Sequence, residues 1–338
     1  MMPFSRREAL RFAASIATVT AFIRHLPGEV AGAATATSPA TANADANNAW
    51  SVAGSSNFKA IYGDTRLRDA FLLFLTNVYH LYPEGEFQAL IADAARKGHS
   101  DREVYALVQA KLDKLKPFLA DIRYALPALA RQKEEMTRET LALLGSRRQI
   151  NGFMEIGSTG RYLGHLRGRT KMTGDLVLLN NVAPSYSPLD IVERGGLHKR
   201  GRFVSLNDYA PISPAQLADD SLDVVANYIG FHHSPPRKRD AFVRSVQRVL
   251  RPGGRLILRD HNVDSDEMNR MVALAHDVFN MGLEVPWQKN QSEIRNFTSL
   301  DQIIRALDAQ GLRRTATSKP LFQSGDPTRN ALIEFVKV

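Results

Sequence analysis

A doubly wound α/β sheet of seven mostly parallel strands, ending in an antiparallel C-terminal hairpin and preceded by an all-helical region, is the fold this sequence predicts. Three observations carry it. From Leu67 to Leu144 apolar residues recur at helical period, and no strand-like alternation appears. After Arg148 short apolar runs alternate with amphipathic stretches, the pattern of parallel strands joined by crossover helices. Two last apolar runs, "RRTATSKPLF" and "NALIEFVKV", are joined by the turn-forming "QSGDPTR", as in a hairpin on the sheet edge.

The elements follow in chain order. Residues 5–11, "SRREALR", precede the short apolar run "FAASIATVTAFI" and the small tripeptide "AGA" at 31–33. This order of charged, apolar and small residues resembles a twin-arginine export signal, with Arg6 and Arg7 as the pair, Leu10 and Arg11 beyond it, and Ala9 in the usual place of Phe. The resemblance implies a partner, the twin-arginine export machinery, and a periplasmic or otherwise exported location; if the arginine pair is incidental, the chain is cytoplasmic. The apolar run is too short and weak for a permanent membrane span. The leader is taken as 1–33. The small, polar, low-complexity stretch after it reads as a disordered linker over 34–56.

The helical cap region spans 57–148, with breaks at Pro83, Gly98, Pro117 and Pro127. "SDRE" at 100–103 predicts a capping box between Ser100 and Glu103. Val104, Leu107, Val108, Leu112 and Leu115 then fall on one buried face, and Phe71, Phe74, Tyr79 and Tyr82 read as core. The remainder, 149–338, holds the sheet. Its strands are "GFMEIG", "TGDLVLLN", "RFVSLND", "LDVVANYIG", "GGRLILRDH" and the terminal pair. "RDAFVRSVQRVL" and "SLDQIIRALDAQG" are amphipathic helices between them.

Taken together, "MEIGSTG", "SLDVV", "HH", "RVLRPGG" and "RLILRDH" resemble the class I S-adenosylmethionine-dependent methyltransferases of the small-molecule type, over about 149–338. In "RVLRPGG", the most specific piece, Pro252 would stop the helix while Gly253 and Gly254 turn the chain into the fifth strand. The resemblance implies a Rossmann-like sheet, S-adenosylmethionine as cofactor, and a turn of the form acid-x-Gly-x-Gly-x-Gly whose acid holds the methionyl amino group. Here Glu155 and Gly157 match, but the run is Gly157, Ser158, Thr159, Gly160, with a glycine replaced or lost. The acid implied for the ribose hydroxyls at the end of the second strand is replaced by Asn180 and Asn181, which carry no charge. Asp208 stands after the third strand, where the family places an acid toward the adenine amino group. The cofactor set is thus Glu155, Gly157, Gly160, Asn180 and Asp208.

Methyl transfer needs an aligned nucleophile and often a base. His232 and His233 follow the fourth strand and Asp260 and His261 end the fifth, so the topology brings both pairs to one carboxyl edge. His233, Asp260 and His261 are the catalytic candidates; His232 serves equally well as a helix-capping or loop-bonding residue. Two adjacent pairs lack the spacing of a metal site, so no metal is expected. The insertion at 262–297 carries Met271, Leu274, Val278 and Met281 at helical spacing, which reads as a helix packing on the sheet, with Trp287 as a lid residue over a small-molecule substrate.

The absence of cysteine excludes disulfides, thiolate metal sites and a Cys nucleophile. The net charge of +9 is scattered over polar helix faces, and no Arg and aromatic array suits base stacking, so no nucleic acid partner is expected. The alternative to the enzyme is an exported non-catalytic binding protein with a degenerate methyltransferase fold, favoured by the missing glycine and by a leader pointing away from the cytosol, where the cofactor is made.

Overall fold

Alternation along the strands sets the layering of the molecule. The computed structural model describes residues 56–115, 126–145, 149–315 and 318–338, so the expected leader and nearly all of the linker lie outside the described residues. The strands are β1 (Gln149–Ile156), β2 (Lys171–Asn180), β3 (Arg202–Ser205), β4 (Leu222–Asn227), β5 (Leu250–His261), β6 (Leu312–Arg313), β7 (Leu321–Phe322) and β8 (Asn330–Lys337). They form one sheet in the order β3-β2-β1-β4-β5-β8-β6, with β7 also paired to β8. Strands β1 to β5 are parallel, and β8 runs antiparallel to β5, β6 and β7. The predicted doubly wound α/β class is the one observed.

Two details of the C-terminal hairpin differ from expectation. Its first strand is two short pairings, β6 and β7, which makes eight strands in place of seven. Its second strand, β8, lies inside the sheet between β5 and the β6/β7 pair. The cause is composition: Ala331, Leu332, Ile333 and Phe335 are all buried, so both faces of β8 need cover.

The helices are α1 (Asn57–Tyr62), α2 (Thr65–Phe74), α3 (Glu84–Lys97), α4 (Asp101–Gln109), α5 (Leu112–Leu115), α6 (Leu126–Leu144), α7 (Leu163–Arg167), α8 (Pro188–Arg194), α9 (Pro236–Val249), α10 (Asp266–Gly282), α11 (Trp287–Ser292) and α12 (Leu300–Asp308). Met154, Ile156, Val225, Leu256 and Leu258 face Phe242 and Val246 of α9 and Ile303 and Leu307 of α12. The alternate residues Phe153, Val224, Ala226 and Ile257 face Met136 and Leu144 of α6 and Leu163 and Leu166 of α7. The sheet is therefore covered on both faces, and α6 belongs to that cover.

A third core lies in the N-terminal helices. Phe71, Phe74, Tyr79 and Tyr82 are buried there, as expected. Met271, Leu274, Val278 and Met281 of α10 join this core, which corrects the expectation that they pack on the sheet. The periodicity identified the apolar stripe of α10; its partner is the apolar face of α1 to α4. Trp287 meets the edge of Tyr105 with centroids 5.2 Å apart, as a packing residue of the same core. Three smaller corrections follow. Leu107 is 37% exposed, outside the buried face of Val104, Val108 and Leu112. Ser100 does accept from the Glu103 amide at 3.3 Å, but the Glu103 carboxylate bonds the His99 amide at 2.7 Å. Helix α9 ends at Val249, ahead of Pro252, and "PGG" lies within β5 as a bulge, where pairing passes from Leu222↔Leu250 to Val224↔Arg255. Among the described residues no helix is long and apolar enough to cross a membrane.

Candidate functional site

Strand order reverses between β1 and β4, and in such sheets the crevice beyond the carboxyl ends at that point receives ligands. Beyond β1, Gly157 and Gly160 take φ values of +80° and +98°, a conformation that suits glycine. Ser158 ties the turn together: its hydroxyl donates to Glu155 and accepts from the amides of Gly160 (3.0 Å) and Arg161 (3.1 Å). Thr159 Oγ1 is buried without a hydrogen-bond partner among the described residues.

Glu155 differs from expectation. It is wholly buried on the sheet face where α7 begins, and its carboxylate accepts from the amides of Tyr162 (3.2 Å) and Leu163 (2.8 Å) as well as from Ser158. Burial raises its pKa, against the opposing pull of these three donors. The carboxylate thus faces its own turn, where amides left unpaired at the helix end attract it. A further obstacle covers Gly157: a Cβ there would lie 2.7 Å from Ile229 Cγ1 and closer still to its Cδ1. Ile229, from the end of β4, is only partly buried, so a rotamer change can uncover the turn.

The ends of β2 and β3 are linked. Asn180 Nδ2 donates to the Val182 carbonyl at 3.1 Å, and Asn181 Oδ1 accepts from the Asp208 amide at 3.3 Å. Asn207, Asp208 and Tyr209 occupy the left-handed region in succession, with φ of 46°, 52° and 58°. Such backbone is costly for non-glycine residues and concentrates at functional turns. It leaves the Asp208 carboxylate exposed and 2.7 Å from Lys238 Nζ. Gly157, Gly160, Asn180 and Asp208 therefore share one sheet edge.

The other half of the edge is rich in imidazole. Buried Asp260 accepts from the Phe231 amide (2.8 Å), the His261 amide (2.8 Å) and His232 Nδ1 (2.6 Å). Burial opposes its charge, but the His232 ring and then His261 hold its pKa down at about 2. His233 Nδ1 donates to the Ile294 carbonyl at 3.1 Å, and His261 Nδ1 to the Thr328 carbonyl at 3.0 Å. Burial, followed by the neighbouring His232, pushes His233 and His261 each down to about 4. Burial also takes His276, on α10, well below its ordinary value. All of these rings converge, with His232 4.1 Å from His233, 5.5 Å from His261 and 5.1 Å from His276 between centroids. One ring nitrogen from each of His232, His233 and His276 lies within 4.8 Å of the other two. A cavity of about 220 Å³ opens beside Phe231, His232, Arg239, Asp260 and Asn296.

The three catalytic candidates thus meet, but the ring bonded to Asp260 is His232, for which the sequence reads a base and a capping or loop-bonding role equally. The sequence shows His276 only as one residue of the insertion, with no role at the site. It comes from the insertion, and no local spacing relates it to the pair at 232–233.

Comparison with known proteins bears on the middle of the sheet. A family model described as a methyltransferase domain matches residues 196–258, under a fifth of the chain; it spans Asp208, His232 and His233 but neither the Gly157–Gly160 turn nor Asp260. A search of curated proteins finds no match. Similar solved structures include the S-adenosylmethionine-dependent methyltransferase SibL in its apo form, 11% identical, covering 79% of this chain and 73% of that one with a TM-score of 0.47. The CurJ carbon methyltransferase is 14% identical over 81% of this chain and 71% of its own, with a TM-score of 0.45. The Burkholderia thailandensis 1,6-didemethyltoxoflavin-N1-methyltransferase, with bound 1,6-didemethyltoxoflavin and S-adenosylhomocysteine, is 13% identical over 62% and 79%, with a TM-score of 0.40. Scores this low add nothing to the topology described above. The segment from β3 into β5 is similar in sequence to a methyltransferase domain.

Proposed function

We propose that the chain is a class I S-adenosylmethionine-dependent methyltransferase acting on a small molecule. The observation that carries this reading is the shared carboxyl edge: the Gly157–Gly160 turn, the Asp208 turn and the histidine-lined end of β4 and β5 border the switch point of a sheet whose β3–β5 segment matches a methyltransferase domain. When bound, the cofactor supplies an electrophilic methyl group on a sulfonium. Gly157 and Gly160 admit a ligand close to the backbone once Ile229 swings aside, and the unpartnered Thr159 hydroxyl offers it a hydrogen bond. Asp208 presents an exposed carboxylate to the adenine amino group, and Asn180 an uncharged amide to the ribose. At the acceptor end His233 and His261, kept neutral by burial, hold lone pairs toward the substrate's exchangeable proton, while Asp260 anchors the loop through Phe231 and His232.

Calorimetric titration of the full chain with S-adenosylmethionine and S-adenosylhomocysteine tests the reading. Micromolar binding is expected. Asp208→Ala should weaken it about tenfold, the scale of one hydrogen bond to a charged group. Gly157→Val should abolish it. No binding at millimolar ligand would sink the enzyme and favour a binding module without a methyl donor, the reading suggested by Ile229 over Gly157 and by Glu155 turned into its own loop.

The export reading rests on residues 5–33 alone. Replacing Arg6 and Arg7 together by Lys should retain the chain in the cytosol in a fractionation assay, and an unchanged distribution would refute it.

A further inference from the structure

We infer that His232, His233 and His276 form a binding site for a divalent transition-metal ion, where the loop after β4 meets α10. One ring nitrogen from each already lies within 4.8 Å of the other two. Three imidazole nitrogens around a tetrahedral ion stand roughly 3.3 Å apart, each about 2 Å from the metal, so small side-chain rotations complete the set.

The orientation of the rings is the second argument. A carboxylate and a carbonyl can only accept, so Nδ1 of His232 donates to Asp260 at 2.6 Å and Nδ1 of His233 donates to the Ile294 carbonyl at 3.1 Å. The lone pair of each ring is then on Nε2. Outer partners of this kind, a carboxylate or backbone carbonyl on the far nitrogen, are what orient and strengthen metal-bound histidines. His232 Nε2 is also buried without a hydrogen-bond partner among the described residues, a desolvated lone pair that the protein itself leaves unused. His276 supplies the third ring from α10, and Phe297 packs against both His232 (5.2 Å) and His276 (5.1 Å).

Charge and chemistry agree. Facing the cluster, Asp260 supplies a negative charge beside His232; of the cations nearby, Arg295 is paired with Asp277 at 2.7 Å and Glu293 at 3.3 Å, and Arg239, which lines the cavity beside His232, donates to the Ser234 hydroxyl at 2.9 Å. His261, 5.5 Å from His232 and with its Nδ1 on the Thr328 carbonyl, borders the site as a fourth imidazole. An all-imidazole set selects zinc, cobalt, nickel or copper over magnesium or calcium. Three protein ligands leave a position open to solvent or substrate, as in exchangeable sites rather than closed structural ones. The lone pairs would then act through the ion in place of taking a proton directly. This inference does not rest on the methyl-donor reading, because ion uptake is read with no donor present.

The test uses the full chain, stripped with a chelator and titrated with Zn²⁺ against a chromophoric competitor, and in parallel with Co²⁺ followed by visible absorption. One equivalent should bind at micromolar affinity or tighter, with tetrahedral Co²⁺ bands and a raised Tm. His276→Gln and His233→Gln should each weaken uptake at least tenfold, while His80→Gln, far from the cluster in the chain, should leave it unchanged. Absence of uptake by the unmodified chain at millimolar Zn²⁺ would overturn the site without need of any variant. So would uptake that both substitutions leave intact. Titration with S-adenosylmethionine is scored separately, so failure of the donor site and failure of the metal site are distinguishable.

Discussion

Gly282→Ala is expected to lower stability by about 3 kcal/mol, at the upper end of ordinary overpacking. Gly282 ends α10, and the Tyr79 hydroxyl occupies the space a Cβ would need; Tyr79 Cζ would be 2.7 Å away and Tyr82 Cε2 3.2 Å. Neither ring has room to retreat. Tyr79 stacks on Phe87 at 5.5 Å, and Tyr82 donates its hydroxyl to the Gly282 carbonyl at 2.9 Å. Nor can α10 draw back, because Tyr105 and Gln109 both donate to the Val285 carbonyl just beyond it, at 2.8 and 3.0 Å. Tyr79→Phe is the control. That hydroxyl is buried with no partner among the described residues, so its removal should be neutral or stabilising. The double variant should recover only part of the loss, since the ring carbon still crowds the new methyl group. Urea unfolding of the four proteins measures the coupling. A Gly282→Ala midpoint equal to that of the unmodified chain would show that the N-terminal helices are not seated on α10.

Asp260→Ala should cost about 3 to 5 kcal/mol, the range for removing one member of a buried pair. It strips the acceptor from the Phe231 amide and from His232 Nδ1 together, and both donors are buried. Asp260→Asn should cost less, because one acceptor oxygen survives, yet its amide then faces a donor. The same carboxylate shapes the acid limb of stability. Its folded pKa, about 2, lies below the ordinary 3.8 because the His232 and His261 contacts outweigh burial. A depressed carboxylate contributes stability above its unfolded pKa and loses it as pH falls through the folded value, here from about 4 down to about 2. The contribution is on the order of 2 kcal/mol, from roughly 1.4 kcal/mol per pKa unit. Stability of the unmodified chain and of Asp260→Asn should therefore converge over that window when urea midpoints are followed against pH. Parallel curves would mean that Asp260 is not held as a carboxylate by His232.

Much of this molecule was readable from its residues. The strands β1 to β5 came from apolar runs bounded by turn residues, and the doubly wound order followed from strands alternating with amphipathic helices. Period alone also separated the helical N-terminal region from the sheet and identified Phe71, Phe74, Tyr79 and Tyr82 as core. Within the candidate site, the topology argument placed His233, Asp260 and His261 at one edge, where they do meet.

The remaining features depend on partners, which a periodic pattern does not name. The stripe of Met271, Leu274, Val278 and Met281 is legible as a buried face, but whether it meets the sheet or the N-terminal helices is settled by which apolar surface is left uncovered. Glu155 matches a motif by position, yet the start of α7 places two amides on its carboxylate. β8 reads as terminal and lies internal, because a strand apolar on both faces is stable only with neighbours on each side. His276 stands more than forty residues from His232 and joins it only because α10 is pinned between the sheet edge and the N-terminal helices. Sequence determined the elements and the edge at which the histidines and Asp260 gather; tertiary packing alone decided which side chains share that edge, since burial acts on surfaces and these are complete only when distant segments have docked.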